Sequence, residues 1–131
     1  MDEAGQMRRL LPLALMILAG CATVQTRIGP ITGKTYTGWP MEYEREVALD
    51  PWLKAHPGAL DDETVAKLID GQIWIGMSAG WAKFVLGTPQ DINRTVYAHG
   101  VHEQWVYTRF YDSLPYRYLY FENGTLTSWQ D

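Results

Sequence analysis

Residues 70–89, DGQIWIGMSAGWAKFVLGTP, decide how this chain folds. Gly71 can take the left-handed turn that ends a helix, Ser78 is a good N-cap, and Gly87 with Pro89 stops the helix that Ser78 opens. The stretch reads as the end of one helix, a tight connection through Gly76, and a second short helix. Upstream, Asp61 caps the first helix, with Asp62 and Glu63 in the turn where the helix dipole favours negative charge. Leu60 and Val65 then fall at the N′ and N4 positions of a hydrophobic staple. Val65, Leu68 and Ile69 form an apolar stripe at i, i+3 and i+4. In the second helix Trp81, Phe84 and Val85 repeat that stripe, with Leu86 alongside. Gly80 costs this helix about 1 kcal/mol against Ala, for which a close approach of Trp74 or of the first helix would be the reason. Two short helices with one stripe each cannot enclose a core, so they require a sheet.

The sheet comes directly after. Residues 91–98 read as a strand, His99-Gly100-Val101 as a turn, and 102–111 as a stronger strand rich in β-formers. Residues 112–115 break it. Tyr116 to Phe121 is a third strand, and Asn123-Gly124 is the hairpin signal leading into Leu126 to Trp129. A two-residue loop sets Glu122 opposite Thr125, Phe121 opposite Leu126, Tyr120 opposite Thr127 and Tyr118 opposite Trp129. Leu119, Phe121 and Leu126 then share the face assigned to the helices. Tyr118, Tyr120, Thr127 and Trp129 share the face left to solvent or a partner. In the 102–111 strand, Trp105 and Tyr107 oppose Val106 and Phe110, and either pair could be the core. The expected fold is α+β: two short helices packed on a three- to four-stranded antiparallel sheet in two layers, over residues 58–131.

The 131 residues carry a net charge of −4, six Trp, eight Tyr and one cysteine. The mild acidity offers no basic patch for nucleic acid. A single cysteine excludes an internal disulfide and any paired-cysteine metal or redox motif. Arg8-Arg9, the apolar run Leu10 to Leu18 and Ala19-Gly20 have the parts of a secretory signal peptide, residues 1–20, with an apolar run too short to span a bilayer. The start codon is Met1 or Met7. Residues 21–57 read as a flexible tether, rich in Gly and Pro up to Pro40, followed by a Trp-containing segment. Within it Glu42, Glu44 and Glu46 read as a solvated face. Asp50 and Pro51 read as the cap and first position of a short helical turn, and His56 as a loop residue. His99, His102 and Glu103 lack a fourth ligand and a geometry that would converge on a metal. The chain has no motif for a nucleophile, a phosphate loop or a zinc protease, so no enzyme activity, cofactor or metal site is expected.

Leu18-Ala19-Gly20-Cys21 resembles the lipobox of bacterial lipoproteins, which implies that Cys21 is lipidated and that the mature chain is held to a membrane. Ala22, rather than Asp, after the cysteine implies sorting to the outer membrane. Gly76-Met77-Ser78, Leu86-Gly87-Thr88-Pro89, Glu103-Gln104-Trp105-Val106-Tyr107 and Phe121-Glu122-Asn123-Gly124 resemble, in order and spacing, the SmpA/OmlA (BamE-like) outer-membrane lipoproteins. That resemblance spans roughly residues 62–129. It implies a helix–helix–strand–strand–strand fold and a non-enzymatic role as an accessory of the machinery that assembles outer-membrane β-barrels, or in envelope integrity. The partner would be an envelope protein met at the periplasmic face of the outer membrane. The candidate binding residues are Trp105, Tyr107, Tyr118, Tyr120 and Trp129, because Tyr and Trp dominate interface hot spots. The same fold occurs in a protein inhibitor of β-lactamases, so an inhibitor-like module is one alternative. A module for a small or lipidic ligand between helices and sheet is another, against which Trp74, Trp81 and Phe84 crowd the space.

Overall fold

The computed structural model describes residues 24–111 and 113–131. The signal segment and Cys21 lie outside the described residues. Strands β1 (Thr26–Ile28) and β2 (Thr35–Thr37) form a small hairpin, followed by helices α1 (Met41–Ala55), α2 (Asp62–Asp70) and α3 (Ala79–Leu86). Strands β3 (Asp91–Tyr97), β4 (Gly100–Thr108), β5 (Pro115–Glu122) and β6 (Thr125–Gln130) then form an antiparallel sheet in the order β3-β4-β5-β6. The architecture is α+β, helices on one face of an open antiparallel sheet.

The caps behave as their chemistry requires. Asp61 accepts a 2.7 Å bond from the Thr64 N–H, and Gly71 ends α2 at φ 74°. Ser78 accepts from the Trp81 N–H, and Asn123 and Gly124 both take positive φ at the β5–β6 turn. Leu68 and Ile69 of α2 are buried, with Leu60 and Val65 packed against them. In α3 the buried positions are Ala82 and Val85, while Trp81 and Phe84 are only half-buried. The expected stripe is therefore widened: Ala82 joins Val85 in the buried row, while Trp81 and Phe84 pack against its margin and Trp81 meets Trp52 of α1.

The segment expected as a tether is built into the fold. α1 runs through Pro51 without stopping, and Leu49 joins the core. The core-facing row of α1 contains a glutamate, Glu46, beside Leu49, Trp52 and Leu53, which disguises the helical period in the sequence. Glu46 is fully buried. Its carboxylate accepts from the Ile31 N–H (3.1 Å), the Thr32 N–H (3.2 Å), the Thr32 hydroxyl (2.6 Å) and the Tyr36 hydroxyl (2.6 Å), fastening the β1–β2 hairpin to α1. Burial pushes the Glu46 carboxyl up, but these four bonds outweigh it and hold it below the usual carboxylate range. The Arg45 guanidinium reaches the other way and donates to the Ile69 carbonyl at 3.1 Å, setting a cation at the C-terminus of α2.

The connection from α2 to α3 does more than turn the chain. Gly76 N–H donates to the Leu126 carbonyl, Leu126 N–H to the Met77 carbonyl, and Ala79 N–H to the Gly124 carbonyl. Ser78 bridges Thr125 in antiparallel sense. Residues 76–79 thus lie along the first two residues of β6 as a short extra strand, and Met77 is buried beneath the helices.

Pairing in the β5–β6 hairpin begins as expected, with Glu122 opposite Thr125 and Phe121 opposite Leu126. The register then shifts, so that Tyr120 meets Ser128, Leu119 meets Trp129 and Tyr118 meets Gln130. Thr127 is the extra residue of a β-bulge, its hydroxyl bonded to the Tyr120 carbonyl at 3.1 Å. The expected pairings of Tyr120 with Thr127 and of Tyr118 with Trp129 are corrected by that one inserted residue. The bulge also carries Trp129 across to the helix side, opposite the buried Leu119.

Candidate interaction surface

Alternation along β4 and β5 divides the sheet into two chemically different faces. On the helix side, Trp105 and Tyr107 are 6% and 5% exposed. The Trp105 ring lies 4.4 Å from Phe121, and its indole N–H donates to Glu103 at 2.7 Å. The Tyr107 hydroxyl donates to the Gly87 carbonyl at 2.9 Å, tying the end of α3 to the sheet. Burial pushes that phenol up to about 12. Trp105 and Tyr107 are therefore core residues, and the expectation that they are offered to a partner is corrected. Trp129, 39% exposed at the margin of the same side, is separated from the tyrosines it was expected to join.

Tyr118 and Tyr120 do lie on the outer face, half-buried among polar neighbours. Asn93 of β3 donates to Gln104 of β4 (3.0 Å), Gln104 to the Tyr120 hydroxyl of β5 (3.2 Å), and Tyr120 to Gln130 of β6 (3.3 Å). One hydrogen-bonded chain of side chains thus crosses all four strands. Beside it, Glu122 accepts from the Tyr97 hydroxyl and pairs with His102 Nδ1, both at 2.7 Å, while the His102 ring stacks over Tyr120 at 6.3 Å. The bonds from Tyr97 and His102 hold the Glu122 carboxyl below its ordinary range, and the bond to Glu122 holds the Tyr97 phenol above its own. This is an ordered surface of aromatic rings, amide groups and a carboxylate, with Val106 in register with Tyr118 as its apolar strip.

Sequence reasoning missed Tyr97, His102, Gln104 and Gln130 in this network. Their signal was available only through register: Gln104 sits opposite Tyr120, and His102 opposite Glu122. His102 and Glu103, adjacent in β4, point to opposite faces, and among the described residues no group of three or more His, Cys, Asp or Glu converges.

A concavity lies between α1 and α3. Trp52, Ser78, Gly80, Trp81 and Phe84 line a shallow cleft of about 350 Å³. Trp52 and Trp81 meet edge to face at 4.9 Å, Trp81 and Phe84 likewise at 5.6 Å, and His56 stacks on the far side of the group against Trp52 at 4.4 Å. Trp81 and Phe84, expected to crowd the space between helices and sheet, wall this separate cleft between α1 and α3. A side chain at Gly80 would meet only Ser78 Oγ, at 3.9 Å, so neither Trp74 nor α2 requires a glycine there.

Set against protein-family models, curated proteins and solved structures, the chain matches none of them.

Proposed function

We propose that this protein is a non-enzymatic, lipid-anchored interaction module, held through Cys21 at the periplasmic face of the outer membrane. Its task is to bind another envelope protein, as an accessory to β-barrel assembly or to envelope integrity. The anchor rests on the lipobox-like Leu18-Ala19-Gly20-Cys21, and the role on the resemblance to SmpA/OmlA lipoproteins. The observation that carries the reading is the outer sheet face, where Tyr120, His102 and Gln104 stand pre-ordered beside Tyr118 and no described helix covers them. Rigid aromatic and amide groups lose little entropy on docking, which is what an interface needs. Crosslinking and recovery of partners from native envelopes, wild type against Tyr118→Ala/Tyr120→Ala, tests it. Loss of one specific partner is the expected result; recovery of every partner at wild-type levels rejects the face. Acyl labelling that persists in Cys21→Ala rejects the anchor.

A second reading has one observation in its favour, the cleft walled by Trp52, Trp81 and Phe84. It would make the protein a module for a small or lipidic ligand. Native mass spectrometry of protein extracted from membranes decides between them: a retained small ligand, lost in Trp81→Ala, supports the second reading, and bare protein rejects it.

A further inference from the structure

The sheet has two edges, and they are treated differently. The edge of β6 is covered at its start, along Thr125 and Leu126, by residues 76–79. β3 pairs only with β4, and all seven of its residues are exposed. Among the described residues nothing pairs with its outer side. An uncovered strand edge is ordinarily blunted by proline, by a bulge, by brevity or by charged side chains, and of these β3 carries only charge, at Asp91 and Arg94. The run DINRTVY has neither proline nor bulge, and its pairing with β4 is regular from end to end.

The direction of its backbone groups is fixed by the ladder. Val101 gives its carbonyl to the Asn123 N–H, toward β5, and Val106 gives its carbonyl to the Gln90 N–H, toward β3. Antiparallel alternation then turns Asp91, Asn93 and Thr95 toward β4, and Ile92, Arg94 and Val96 toward the open edge. The Ile92 N–H is taken by the Asp91 carboxylate at 2.9 Å. Arg94 and Val96 therefore present the edge's open donors, together with the outward carbonyls.

We propose that the β3 edge is a docking site for an extended segment of a partner protein, added as a fifth strand. The side chains specify which segment. Ile92 and Val96, 45% and 72% exposed, lie on the helix side of the sheet beyond the cover of the helices. Arg94 sits between them, 3.6 Å from Glu103 and itself exposed. Asn93, Thr95 and Tyr97 lie on the outer face. An added strand must therefore read apolar–polar–acidic–polar–apolar. Its apolar residues cover Ile92 and Val96, its acid meets Arg94, and its polar residues join the outer face. A second copy of this chain fits badly. The antiparallel register that pairs Ile92 with Val96 also sets Arg94 opposite Arg94, and like charges directly opposed are destabilising.

The test uses the full chain and two end-blocked peptides of alternating Val and Thr, one with Glu at its centre and one with Lys. Val96→Pro removes an outward N–H and leaves the bonds to β4 in place, so melting is unchanged. Arg94→Glu reverses the charge at the centre of the edge. The wild type is expected to bind the Glu peptide roughly tenfold tighter than the Lys peptide. Arg94→Glu should invert that order, and Val96→Pro should abolish binding to both. Tyr118→Ala/Tyr120→Ala should bind the Glu peptide as the wild type does, so failure of the outer-face reading and failure of this one are distinguishable. The proposal is overturned if neither peptide binds the wild type, or if binding survives Val96→Pro. It is also overturned if the edge proves to hold a second copy, seen as self-association lost in Val96→Pro.

Discussion

The carboxylate of Glu46 occupies the space that a side chain on Gly29 would need. A Cβ at Gly29 would collide with Glu46 Oε2. The hairpin can press its turn onto α1 only because residue 29 is bare, and the four bonds to Glu46 form only because the turn is pressed close. Gly29 is not among the glycines with positive φ, so close approach rather than backbone conformation demands it there. Gly29→Ala is therefore expected to destabilise the protein by roughly 2 kcal/mol through displacement of the carboxylate, read as a lowered urea midpoint.

Glu46 also gives stability a pH dependence. Its folded-state pKa is depressed, so its contribution is fully present above the ordinary carboxylate value of 4.5 and is lost as pH falls through the depressed one. Denaturation midpoints of wild type and Glu46→Gln should lie furthest apart near neutral pH and draw together in acid. At pH 7, Glu46→Ala should cost roughly 2–4 kcal/mol, because it strands the Tyr36 hydroxyl and two backbone N–H groups.

Tyr107 joins the end of α3 to the sheet by one bond, to the Gly87 carbonyl. Tyr107→Phe keeps the ring and its packing and should cost about 1 kcal/mol. Because the phenol is raised to about 12, that bond persists below pH 10 and is lost only as pH climbs toward 12. Thermal melts of the pair should therefore differ at pH 7 and converge in strong alkali.

Gly80 gives a prediction of the opposite sign. Nothing but Ser78 Oγ, at 3.9 Å, would touch a new methyl group there. Gly80→Ala should raise stability by up to about 1 kcal/mol through helix propensity. It should also shrink the cleft beside Trp52 and Trp81. A variant that melts higher yet loses a membrane-derived ligand would tie this glycine to binding.

Local chemistry was legible in the sequence wherever it was decided by neighbours along the chain. Asp61, Gly71, Ser78, Gly87 and Asn123-Gly124 each fix their own turn or cap, and they delivered α2, α3, the hairpin and the α+β class. The features that escaped were decided by contacts distant in sequence. Glu46 reads as one more surface acid until the β1–β2 hairpin supplies its four donors, and without them α1 has no legible buried row. Pro51 reads as a start signal, and only the packed helix around it shows otherwise. Of the five candidate binding residues, Tyr118 and Tyr120 lie on the outer face. Trp105 and Tyr107 could not be placed because both faces of β4 carry large residues. Trp129 was misplaced by a single unpaired residue, Thr127, which leaves no mark in the alternation of Leu126 to Trp129.

The β1–β2 hairpin begins at Thr26, only five residues after Cys21. With an acyl group on that cysteine, residues 22–25 would be the whole leash, at most about 14 Å when fully drawn out. A body so closely moored could not patrol the periplasm. It would drift in two dimensions with its standoff from the lipid limited to that length, meeting chiefly the proteins that emerge from, or lie along, the same leaflet.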